Sequence, residues 1–166
     1  MCENKKKMVR IGMAEMLVAG NPTVITTTVG SCIALCMYDP INRIGGMVHI
    51  VLPRKADYSR KEKFDTLIRY ADKAVPALLS KLISRGAKKE FIRAKMAGGA
   101  NMFPMFTHPI LNIGRNNAEV VKKKLAELGV PLVAEDIGGN HGRIVEFDAG
   151  SGIMRVNTIS KGEKEL

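Results

Sequence analysis

The sequence predicts an α+β domain with mixed, mostly antiparallel sheets, on three observations. Short apolar or β-branched runs bounded by Gly, Pro and Asn occupy both ends of the chain. One long middle stretch carries apolar residues at helical spacing. The strands are not interleaved with helices one for one, as they would be in a Rossmann-like alternation. With 166 residues, 46% of them hydrophobic, residues 1–166 read as one domain able to bury its own core.

Taken in order, Val9–Ala19 and Thr23–Val29 read as strands separated by the turn signal Gly20-Asn21-Pro22. Cys32–Tyr38 and Gly46–Leu52 are apolar runs joined by Asp39-Pro40-Ile41-Asn42-Arg43, a β-hairpin pattern. From Ser59 the period turns helical, with Phe64, Leu67, Ile68, Ala71, Val75, Leu78, Leu79 and Leu82 on one stripe. Ser59 and Glu62 form a capping box, Pro76 predicts a kink or split, and Gly86 predicts the end. A shorter helix is predicted over Ala118–Leu128, capped by Asn116 and stopped by Gly129 and Pro131. Further strands follow at Phe91–Met96, Leu132–Ile137, Arg143–Phe147 and Ile153–Thr158, the last two joined across residues 148–152.

Composition narrows the function classes. No segment has the roughly 20 consecutive apolar residues of a membrane span, and Glu15 interrupts the apolar stretch near the N-terminus. Three cysteines without metal-type spacing point to a reducing, cytoplasmic setting rather than a disulfide framework. The net charge of +10 raises nucleic acid as a ligand, yet the basic clusters are scattered and aromatics make up only 5%. The same charge suits an acidic protein partner. Neither a dinucleotide fingerprint nor a P-loop is present, so Gly98-Gly99 and Gly138-Gly139 read as tight turns.

One pair of residues carries chemistry. If the hairpin loop is tight, with Pro40 and Ile41 at its tip, Asp39 faces Asn42 and Cys32 faces His49. Opposed residues of an antiparallel pair hold their Cβ atoms about 4.5–5.5 Å apart on one face. An imidazole there would lower the thiol's pKa and supply a base, the minimum for acyl transfer. Gly30 and Ser31 beside the cysteine allow close backbone approach to a substrate and make oxyanion-hole candidates. On this spacing alone a second reading stays open, in which Cys32 is a small buried apolar group and His49 a satisfied core histidine. Cys36 reads as core and Cys2 as incidental. His108 and His141 read as loop residues.

Five motifs in order, Gly30-Ser31-Cys32, His49-Ile-Val-Leu-Pro53, Ala94-Lys-Met-Ala-Gly-Gly-Ala-Asn-Met102, Asn112-Ile-Gly-Arg-Asn116 and Asp136-Ile-Gly-Gly-Asn-His-Gly-Arg143, resemble the chemoreceptor glutamine deamidase family, CheD. The resemblance runs from about Val9 to Val156 and departs at Ala97, where members often carry Phe. It implies a three-layer α/β sandwich and a Cys/His/Thr triad of Cys32, His49 and Thr26, with Thr27 and Thr28 adjoining the third position. It further implies deamidation of glutamines on chemoreceptor cytoplasmic helices through a thioester, with no cofactor and no metal. A CheC-type phosphatase is the implied partner. A regulatory module that binds this phosphatase with little catalysis is the alternative reading, and thiol reactivity at Cys32 separates the two.

Overall fold

The computed structural model describes residues 5–57, 64–105, 108 and 112–166. Among the described residues, ten strands form two five-stranded mixed sheets. One has the order β1-β3-β8-β9-β10, from β1 (Lys7–Arg10), β3 (Thr23–Val29), β8 (Arg143–Asp148), β9 (Met154–Thr158) and β10 (Gly162–Glu165). The other has the order β2-β5-β4-β6-β7, from β2 (Met16–Gly20), β5 (Ile44–Ile50), β4 (Ile33–Asp39), β6 (Arg93–Gly98) and β7 (Leu132–Ile137). Each sheet has one parallel pair, β1 with β3 and β6 with β7, and is otherwise antiparallel.

Strand alternation sorts the core into two slabs. Ile33, Leu35, Met37, Val48, Ile50, Ala94 and Met96 face α1 (Ala71–Ser84) and α2 (Ile113–Leu128). Residues of opposite parity on the same strands, Ala34, Cys36, Met47 and Ala97, face Ile25, Val29, Val145, Phe147 and Val156 of the other sheet. The layers are therefore sheet, sheet and helices, the sandwich that the sequence predicts. The middle sheet is covered on both faces, which is why its strands read as nearly continuous apolar runs.

Several boundaries move. The predicted strand Val9–Ala19 is two strands in different sheets, and residues 11–15 cross between the layers through a left-handed Ala14. The predicted kink at Pro76 is not where the long helix divides. A 3₁₀ segment, Phe64–Arg69, gives way at Tyr70 to α1, and Pro76 lies in the first half of α1. The break falls at Tyr70 because its backbone is extended and bridges Leu52. Ser59 and Glu62 lie outside the described residues. The stop near Gly86 holds: the Gly86 and Ala87 N–H groups donate to the Ile83 and Leu82 carbonyls. The second helix starts five residues earlier than predicted, because Asn112 rather than Asn116 caps it, accepting from the Arg115 N–H at 3.1 Å. Gly129, left-handed at φ 69°, ends it as expected.

Candidate active site

The hairpin exists, with a loop two residues longer than the tight one. Asp39 pairs with Ile44, and its carboxylate holds the four-residue loop by accepting from the Ile41 and Asn42 N–H groups at 2.9 and 3.0 Å. The longer loop moves the register by two, so His49 faces Ala34 instead of Cys32. A shift of two preserves the face, whereas a shift of one would reverse it. Cys32, one residue outside the ladder, packs against the intersheet core with Ala34 and Cys36 and is not opposite His49.

The imidazole spans the gap between the sheets. Its Nδ1 lies 2.8 Å from Oγ1 of Thr27 in β3. The threonine brought to His49 is thus Thr27, and Thr26, assigned to the triad by resemblance, points the other way. Strand parity is the reason: Thr27 shares a face with buried Ile25 and Val29, whereas Thr26 lies on the opposite face with exposed Thr28.

Hydrogen-bond accounting then fixes the histidine tautomer. The Thr27 hydroxyl has one proton, which it donates to the Ile11 carbonyl at 2.9 Å. A carbonyl can only accept, so both contacts are satisfied together when Nδ1–H donates to Thr27 Oγ1. Nε2 is left as the unprotonated nitrogen. It is buried and has no hydrogen-bond partner among the described residues, so its lone pair is available to a proton donor entering the site. The crossover segment seals this arrangement, with the His49 N–H donating to the Glu15 carbonyl and the Ala14 N–H to the His49 carbonyl, both at 3.0 Å.

Electrostatics favours a neutral pair at rest. Burial holds the His49 imidazole below its ordinary pKa, opposed by the Glu15 carboxylate. Burial pushes the Cys32 thiol up, partly offset by its own backbone N–H. The lowered thiol pKa expected from the sequence is therefore reversed, because desolvation outweighs the hydrogen bond from the thiol's own backbone N–H.

The loop 30–32 is held by its carbonyls. Gly30 O accepts from the Ala100 N–H and Cys32 O from the Gly99 N–H, each at 2.9 Å, and Ser31 O accepts from Asn117 Nδ2 at 3.0 Å. Among the described residues, the N–H groups of Ser31 and Cys32 donate to no backbone carbonyl. Gly98, at φ 118°, permits this approach, since a Cβ there would run into the Cys32 carbonyl. Met102 packs against Gly30, and Met102, Phe103 and Met105 are exposed.

The Asp136 to Arg143 motif supplies structure. Arg143, almost wholly buried, donates to Asp136 Oδ1 from Nε and Nη2 at 3.2 and 3.0 Å, joining the two sheets at the level of Val29. His141 is partly buried, and Cys2 lies outside the described residues. Among the described residues no three His, Cys, Asp or Glu side chains converge as metal ligands would, and no helix is long and apolar enough to cross a membrane.

Two residues at the site escape the motif reading, and both left a signal. Thr27 has the parity of Ile25 and Val29. Asn117 stands four and eight residues before Val121 and Leu125, a polar residue on an apolar stripe.

A family model described as CheD chemotactic sensory transduction matches residues 51–158. The chain is 43% identical over 161 residues to the chemoreceptor glutamine deamidase CheD of Halalkalibacterium halodurans, covering 96% of this chain and 98% of that one. It is 41% identical over 162 residues to the probable chemoreceptor glutamine deamidase CheD of Clostridium botulinum, with the same coverage. Among solved structures, the hypothetical protein YfiH of Bacillus licheniformis aligns with a TM-score of 0.45 at 13% identity, over 79% of this chain and 59% of that one. With the family model matched across most of the chain and relatives of this identity along nearly its whole length, the chain belongs to the CheD family.

Proposed function

We propose that this chain is a cytoplasmic protein-glutamine deamidase of chemotaxis, converting glutamine side chains on chemoreceptors to glutamate with Cys32 as nucleophile, His49 as base and Thr27 as the residue that orients the base. The observation that carries this reading is the histidine: Nδ1 is committed to Thr27, and buried Nε2 has no hydrogen-bond partner among the described residues. Family relatives named as chemoreceptor glutamine deamidases support the substrate class.

As a glutamine amide enters, the Cys32 thiol gives its proton to Nε2 and Sγ attacks the side-chain carbonyl carbon. The oxygen of the tetrahedral intermediate takes the N–H groups of the Gly30-Ser31-Cys32 loop. Nε2–H then protonates the departing nitrogen, ammonia leaves and a thioester remains. Water, deprotonated by Nε2, hydrolyses it to glutamate and the free thiol. Throughout, Nδ1–H stays on Thr27, a neutral partner that stabilises imidazolium less than a carboxylate would. Modest turnover follows.

Exposed Met102, which packs against Gly30, with exposed Phe103 and Met105 following it in sequence, suits the apolar side of a receptor helix, and the net charge of +10 suits its acidic side. A CheC-type phosphatase docking on the same rim competes with receptor. Receptor fragment turned over at rising phosphatase concentration checks this: competitive inhibition agrees, and tight binding that leaves turnover untouched refutes the shared rim. The test of the function itself is peptide mass analysis of receptor cytoplasmic fragments after incubation with the wild-type chain, where conversion of glutamine to glutamate is expected.

A further inference from the structure

The β4–β5 ladder ends one step before the nucleophile. Its last rung is Ile33 against Ile50. Beyond it residues 30–32 bend away from the strand, and Val51, which a continuing ladder would set opposite Cys32, donates its N–H to the Arg69 carbonyl instead. At this opening a single side chain bridges the two strands. Asn117 Nδ2 donates to Ser31 O at 3.0 Å and to Val51 O at 2.9 Å. Ser31 directly precedes the nucleophile, and Val51 lies two residues past the base, at the same strand parity.

Packing does not explain an amide at this position. Asn117 is fully buried on the stripe that seats α2 against the sheet, where an apolar residue of similar size would fill the space. The amide brings a desolvation cost, and its Oδ1 is buried without a hydrogen-bond partner among the described residues. What it supplies in return is the pair of donated bonds, one to each strand.

We propose that Asn117 is a positioning residue for the deamidation: it takes the place of the missing rung and fixes the distance between the loop carrying Cys32 and the strand carrying His49. This rests on the reading of Cys32 and His49 as nucleophile and base. Displacements of about 1 Å in such a pair lower rates by up to about a hundredfold, so the effect should appear in kcat and not in substrate binding.

The experiment compares wild type, Asn117→Leu and Cys32→Ala on a receptor cytoplasmic fragment, with iodoacetamide labelling of Cys36 as the check on folding. Cys36 is fully buried in the intersheet core and reacts only when the sheets open. For Asn117→Leu the expected result is kcat reduced by about tenfold to a hundredfold, KM within about twofold, Cys36 still protected, and Cys32 labelling no slower than in wild type. A kcat within about twofold of wild type with Cys36 protected overturns the proposal. So does a loss of activity that merely tracks the fraction of molecules with reactive Cys36. Should the variant not fold, the wild-type chain supplies the second test: the Asn117 side-chain amide protons should exchange slowly and shift when Cys32 is alkylated, and fast exchange without a shift overturns the proposal. Activity retained in Cys32→Ala refutes the site reading itself. An inactive Cys32→Ala beside a fully active Asn117→Leu refutes the positioning role alone.

Discussion

Cys32 and Cys36 lie four residues apart on the same side of one strand and pack against the same intersheet core, yet they occupy different chemical worlds. Cys36 is fully buried midway along β4, where burial holds its thiol well above the ordinary range despite the Lys95 ammonium nearby. Cys32 sits just before β4 begins, half-buried, in a loop whose carbonyls are tied down. Residue type and strand face are shared, so neither makes a nucleophile. What differs is position: the Cys32 side chain lies beyond the end of the ladder and is partly exposed, and the proposed function assigns it the role of nucleophile.

The sharpest break of this comparison is substitution of each cysteine in turn. Cys32→Ala should lower deamidation by about 10⁴-fold or more, the scale seen when a nucleophile is removed from such a unit. Cys36→Ala should leave kcat nearly unchanged and cost about 1 kcal/mol of stability by emptying a small volume in the core. Thermal melts alongside receptor turnover read both.

Next in size is the base. His49→Ala should reduce kcat by roughly 10²- to 10⁴-fold while Cys36 stays protected. Wild-type turnover in that variant would leave Cys32 without its proton acceptor and break the account.

A finer test sets neighbouring threonines against each other. Thr27→Val leaves the Ile11 carbonyl and His49 Nδ1–H without their shared partner, which should cost about 1–3 kcal/mol of stability and roughly tenfold in kcat. Thr26→Val, on the outer face of β3, should do neither. Comparable loss at both positions would mean that the Thr27 bond does not set the base.

The smallest expected effect is on pH dependence. His49 is held below its ordinary value of about 6.5, so the acid limb of kcat/KM should fall below that pH. Stability should also drop as pH falls from about 6.5 through the folded-state value, since the unfolded chain takes up the proton first. Because the Cys32 thiol is raised, its alkylation should keep climbing through and beyond the ordinary thiol range. A thiolate–imidazolium pair at rest would instead label fast into acid pH, and that profile would contradict the neutral pair.

Much of this was legible before the fold. Apolar runs bounded by turn residues give the strands and the hairpin, and helical period gives both helices. The predicted pairing of Cys32 with His49 gives way to Ala34 with His49, but the loop-length error is two residues, which keeps the face. The other differences have physical causes that short-range patterns do not carry. The strand Val9–Ala19 divides at a crossover between sheets. Tyr70 ends the 3₁₀ segment through a bridge to Leu52. The thiol pKa depends on burial, a tertiary quantity that adjacency of residue types does not reveal. Thr27 could have been chosen over Thr26 from parity with Ile25 and Val29, a signal that the motif spacing obscures.

The central claim is that one half-buried thiol just before β4, Cys32, hydrolyses receptor glutamines. The most direct measurement is peptide mass analysis of a receptor cytoplasmic fragment incubated in parallel with wild type, Cys36→Ala and Cys32→Ala. The account predicts glutamine converted to glutamate at the same sites by wild type and Cys36→Ala, and none above background with Cys32→Ala. Equal conversion by Cys32→Ala would contradict it.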